Sequence, residues 1–128
     1  MGRIIVQPYL ITGRRLKENE VISKDSNEEI TIGRDSDNDI IAPTIFTYVS
    51  RKHGKIFLEK GVFTSHLDYL DFSAFGSTVF HWDGFTAQSE SVHGRKIKLK
   101  PGDWVIISNE VTVAHERFGI LLIVQYEE

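Results

Sequence analysis

Apolar residues recur at every second position along this 128-residue chain, and that period constrains the fold more than any other feature. "EEITIG" puts Ile30 and Ile32 on one face of an extended segment. "RKIKLK" sets Ile97 and Leu99 against Lys96, Lys98 and Lys100, and "STVFHW" brings Thr78, Phe80 and Trp82 together. Side chains alternate between faces in a strand but not in a helix, so these runs read as one-sided strands. "DWVIIS" and "GILLIV" are apolar on both faces, as central strands or strands covered on both sides are. Turn residues separate the runs. "DG" at 83–84 predicts a two-residue hairpin of type I′, which needs positive φ at both central residues. "KPGD" at 100–103 predicts a type II turn, with Pro and Gly at its two corners, and Gly61 marks a third turn. No segment shows a capped amphipathic helix. Many short strands with regularly spaced turns define an all-β sandwich or barrel.

The size suits one domain spanning residues 1–128, large enough for a two-layer core. There is no cysteine, which removes disulfides, thiolate nucleophiles and cysteine-based zinc sites and suits a cytoplasmic protein, with the nucleus also open. A net charge of −3 and a pI near 5.9 argue against nucleic acid as a partner. The longest apolar run, "ILLIV" at 120–124, is far short of the ~20 residues needed to span a bilayer. The N-terminus lacks the long apolar region of a signal peptide. The five histidines are scattered without the spacing of a zinc site, and no cofactor is implied.

Two polar loops carry the chemistry. In "IGRDSDNDI", residues 32–40, Gly33 lets the backbone turn directly after a strand and Arg34 follows at once. Asp35, Ser36, Asp37 and Asn38 form turns by bonding their own backbone. In "SRKH", Ser50, Arg51, Lys52 and His53 stand at the mouth of the strand "GKIFLE". Each loop alone reads as a solvated surface turn or a charged strand edge. Together they offer planar guanidinium forks, a hydroxyl and loop amides, the groups that hold phosphate.

In order and spacing, "ITIGRDSDNDI", "VSRKHGKI", "DFSAFGSTV" and "LKPGDWVII" resemble the forkhead-associated (FHA) domain family, over about residues 30–124. The resemblance implies a β-sandwich of two mostly antiparallel twisted sheets, with loops at one end that bind phosphothreonine in a partner protein for signalling or complex assembly. It places the phosphate on Arg34 and Ser50, with Arg51 holding peptide or phosphate, and gives Gly33 and His53 architectural roles. The family usually carries Asn-Gly before a small hydroxyl residue in the next loop, and its asparagine bonds the peptide backbone. The matching stretch here is Ala74, Phe75, Gly76 and Ser77. Without the asparagine, backbone amides around Gly76 and Ser77 are the expected substitute. Two or three hydrogen bonds to a charged group, each worth about 1.5–3 kcal/mol, act against an association cost of ~4–15 kcal/mol. The expected affinity is therefore on the order of micromolar.

Other readings fare less well on the residues. An enzyme would use Ser50 as nucleophile, His53 as base and Asp71 as orienter. Residues three apart on a strand point to opposite faces, and no Gly-x-Ser-x-Gly elbow occurs, so a non-catalytic module is expected. The alternative is a phosphate-independent interaction or oligomerisation module on the same fold, including self-association, with Phe75 as an apolar anchor. Trp82 and Phe85 read as a cross-strand pair beside the "DG" turn, and "TAQSESVHGR", 86–95, as the longest polar loop.

Overall fold

The computed structural model describes residues 2–110 and 117–128. The strands, in chain order, are β1 (Arg3–Thr12), β2 (Arg15–Glu18), β3 (Ile22–Asp25), β4 (Ile30–Gly33), β5 (Ile40–Ile41) and β6 (Gly54–Lys60). They continue with β7 (Ser65–Asp71), β8 (Ser77–Trp82), β9 (Ala87–Val92), β10 (Lys96–Leu99), β11 (Trp104–Glu110) and β12 (Arg117–Glu127). One sheet runs β2-β1-β12-β11-β8-β9, with β3 also on β1; the other runs β10-β7-β6-β4-β5. Pairing is antiparallel except between β4 and β5. This is the expected all-β sandwich: two sheets, neither closed into a barrel. Among the described residues no helix is long and apolar enough to cross a membrane.

The two-residue period builds the core directly. Ile4, Val6, Val79, Val105, Ile107, Ile120 and Leu122 project from the first sheet. Ile30, Ile32, Ile56, Leu67, Tyr69, Ile97 and Leu99 project from the second, and all pack into one cluster. The doubly apolar segments are central, as their composition requires: β12 lies between β1 and β11, and β11 between β12 and β8. In "STVFHW" the trio Thr78, Phe80 and Trp82 does share a face, but the buried face is the other one, with Ser77 and Val79 inward. Trp82 packs edge-on against Trp104, centroids 4.9 Å apart.

Three sequence expectations are corrected here. The "DG" turn joins β8 to β9 through four residues, 83–86, because Trp82 pairs with Ala87. Asp83 caps this loop, its carboxylate accepting the Phe85 and Thr86 amides, and only Gly84 needs positive φ. Phe85 stands 98% exposed and forms no pair with Trp82. Most of "TAQSESVHGR" is strand β9, paired residue by residue with β8 from Ser77–Val92 to Trp82–Ala87. As an edge strand it buries only Val92, so alternation with a core is absent from its sequence. The "KPGD" turn is as read: the Asp103 amide donates to the Lys100 carbonyl and Gly102 has φ +95°.

Strand direction brings the loops after β4, β5, β7 and β9 to one end. Gly54 pairs with both Ile32 and Asp71, and Ser77 with Val92. The tips at 61–64, 83–86 and 100–103 lie at the other end. Gly54 is the joint of the first group. A Cβ there would stand 2.6 Å from the Tyr69 hydroxyl and 2.9 Å from the Leu70 carbonyl, and neither the buried ring nor the backbone can yield cheaply. Gly54→Ala is expected to destabilise the domain by about 1–3 kcal/mol, the usual cost of overpacking. The change should appear as a lower urea midpoint at unchanged m-value.

Candidate phosphate-binding loops

Backbone bonds lock the two motif loops together. The Arg34 amide donates to the Ser50 carbonyl and the Asp35 amide to the Arg51 carbonyl, both at 3.1 Å. The buried Asn38 side chain donates to the carbonyls of Asp35 and Arg51, each at 2.9 Å. This approach requires a residue without a side chain at position 33, where a Cβ would lie 2.0 Å from the Arg51 carbonyl oxygen. Gly33 is therefore architectural, as its place before Arg34 suggested.

The half-buried Arg34 donates from Nε to the Val49 carbonyl. That bond fixes the guanidinium while both Nη groups make no hydrogen bond or ion pair among the described residues. The aspartates of "DSDND" do not lock it: Asp37 pairs with Lys52 and Asp39 with Lys24, each at 2.8 Å. Ser50 lies beside it. Its hydroxyl oxygen accepts the Ala74 amide at 3.0 Å, which leaves the hydroxyl proton to donate outward. The exposed Arg51 side chain makes no ion pair among the described residues. Arg34, Ser50 and Arg51 are thus brought together.

Gly76 and Ser77 are not part of that surface. The Gly76 amide already donates to Ser73 Oγ at 2.7 Å. The Ser77 side chain points inward, its hydroxyl donating to Asp71 Oδ2 at 2.6 Å. The Gly76 amide is therefore not open to stand in for the missing asparagine, and the Ser77 side chain belongs to a buried polar cluster beneath the loops. In it, Tyr69 lies 2.6 Å from the Ser77 hydroxyl, and Asp71 Oδ1 accepts the Ser73 amide, the Ser73 hydroxyl and the Gly94 amide. His53 Nδ1 accepts the Ser50 amide at 3.0 Å, and Nε2 donates to the Gly76 carbonyl at 3.0 Å, with Ser77 Oγ at 3.1 Å. Neither imidazole nitrogen is turned to the Ser50 hydroxyl. Among the described residues no cluster of histidine, aspartate or glutamate side chains could hold a metal ion.

Sequence reasoning missed Tyr48, whose ring stacks on Phe75 with centroids 5.1 Å apart and planes 18° apart. Its hydroxyl reaches the Phe75 carbonyl at 3.5 Å. It also gave no role to Tyr69 or Ser73. The signal for the buried cluster was "LDYLD", where Tyr69 and Asp71 share the inward face with Leu67 at the end of a strand. Polar groups on an inward face must find partners there.

The FHA domain model matches residues 30–108, which contain both motif loops and the buried polar cluster beneath them. The chain belongs to the FHA domain family. No curated protein sequence matches it. Solved structures resemble it in fold at low identity. The FHA domain of the CT664 protein from Chlamydia trachomatis has a TM-score of 0.58 at 17% identity, covering 96% of each chain. Full-length yeast Pml1p has a TM-score of 0.66 at 14% identity, covering 98% of this chain and 83% of its own. The N-terminal FHA domain of Rad53p from S. cerevisiae, solved with a phosphothreonine peptide, has a TM-score of 0.52 at 18% identity over 93% and 94% of the two chains. FHA domains are in general non-catalytic interaction modules, and phosphopeptide binding is the function this membership supports.

The cluster also fixes a response to pH. Burial holds the His53 pKa below its usual value, against the opposing pull of the Gly76 carbonyl and Asp71. Burial of Asp71 favours its neutral acid, yet hydrogen bonds from Ser77, Ser73 and Gly94 outweigh this and keep its pKa low. For His53 the unfolded chain takes up its proton first, from about pH 6.5 downward, so stability falls with pH below that point. Asp71 adds a second loss below about pH 3.9, the ordinary aspartate value, where its unfolded carboxylate protonates first. Urea midpoints measured between pH 8 and 3 should fall in these two steps, and His53→Gln should remove the first.

Proposed function

We propose that this FHA domain binds phosphothreonine in a partner protein, non-catalytically, through Arg34 and Ser50 with Arg51 beside them. The observation that carries this reading is the pair of oriented, outward donors: the Arg34 Nη groups, held by the Nε bond to Val49, and the Ser50 hydroxyl, held by the Ala74 amide. A phosphothreonine brings about −1.5 to −2 charges and three acceptor oxygens, which these donors and Arg51 suit in number and sign. The phosphothreonine peptide bound to the Rad53p domain supports the same ligand class on this fold. Neutral His53 adds no charge; it holds Ser50 in place by accepting its amide. A carboxylate carries one charge and planar oxygens, so aspartate or glutamate in place of phosphothreonine should not bind. A cysteine-free domain of this kind would serve signalling or complex assembly inside the cell.

Titration of a degenerate peptide library, as phosphothreonine and unphosphorylated versions, tests the reading. Phosphothreonine peptides should bind with Kd on the order of micromolar. Loss of a charged hydrogen-bonding group, at about 1.5–3 kcal/mol, should raise Kd roughly 10- to 100-fold in Arg34→Ala. Equal binding of both versions, or binding unchanged by Arg34→Ala, would replace this reading with a phosphate-independent assembly module.

A further inference from the structure

Phe75 stands where the family's asparagine would bond the ligand backbone, and its ring is neither buried nor loose. The residue is 62% exposed. One face lies flat on Tyr48, and the Tyr48 hydroxyl reaches its carbonyl. The preceding residue, Ala74, donates its amide to the Ser50 hydroxyl, and the following one, Gly76, is buried and bonded to Ser73. The ring is thus held on both sides in sequence and from below, next to the residue that bonds the Ser50 hydroxyl.

We propose that Phe75, supported by Tyr48, is a specificity-determining shelf that takes an apolar side chain of the ligand, one to three residues from the phosphothreonine. The inference rests on the phosphothreonine reading and names a second requirement of the same ligand. An amide at this position would recognise any peptide backbone and be indifferent to sequence. An aromatic ring instead rewards removal of apolar surface from water, at about 25 cal/mol per Å², and so discriminates between side chains. A cationic occupant, the other chemistry that favours an aromatic face, is opposed by Arg34 and Arg51 on the loops at the same end. An aliphatic or proline side chain is the occupant these charges allow.

The test uses fluorescence polarisation with matched phosphothreonine peptides bearing leucine or serine at each flanking position, and their unphosphorylated forms. The wild-type domain should prefer leucine at one position by about tenfold. Phe75→Ala and Phe75→Asn, surface changes whose folding thermal denaturation would verify, should bring the leucine-to-serine ratio to within about twofold of unity. Phe75→Tyr should preserve the preference. No leucine preference in the wild type, or one that persists in Phe75→Ala, would overturn the shelf while leaving phosphothreonine binding intact. Equal binding of unphosphorylated peptides would instead overturn the reading on which it rests.

Discussion

The recognition end depends on one buried carboxylate. Asp71 closes strand β7 at zero exposure and accepts bonds from the strand that follows it, from the turn between them and from the loop after β9. A buried charge is tolerable only when its lone pairs are filled, so these loops are obliged to converge on it. Ser77 then passes the constraint to Tyr69 and His53, and His53 passes it to the Ser50 amide. A surface serine is therefore placed by a carboxylate it never touches.

The same bonds order the two motif loops before any ligand is present. Binding loses affinity when loops and side chains must be ordered on contact. Here the Arg34 loop is tied to the Ser50 loop by three hydrogen bonds to the Ser50 and Arg51 carbonyls, and the guanidinium is fixed at Nε. The ordering cost is met during folding, by the same core that makes the sandwich. Polar satisfaction, and not apolar packing alone, links stability to the geometry of the donors.

Much of this was legible in the sequence, for a definable reason. Alternation reports which face of a strand is buried, so β4 and β10 could be read from Ile30 and Ile97 directly, while apolar residues on both faces marked β11 and β12 as central. The ordered pair of Gly33-Arg34 and Ser50 to His53 located the loops. What was illegible depends on groups far apart in sequence. Strand β9 has no apolar face because it lies at an edge. The Gly76 amide could be known as occupied only once Ser73 was seen to reach it. Ser77 resembled a surface hydroxyl until Asp71, six residues earlier, drew it inward. Tyr48 and Phe75 are 27 residues apart and meet only because the loops after β5 and β7 share one end.

The charge balance at that end also decides which cations are left without a carboxylate partner. The chain is acidic overall, so attraction for an anion must be local. Of the cations in and around the two motif loops, Lys24, Lys52 and Lys55 are held by Asp39, Asp37 and Glu29. These are exposed or half-exposed pairs, which add little to stability, but they neutralise lysine charges that would otherwise attract any anion indiscriminately. Arg34 and Arg51 remain, and their planar forks match tetrahedral oxygens better than an ammonium does. The pairing of the lysines therefore leaves Arg34 and Arg51 as the cations of the two motif loops that no carboxylate engages among the described residues.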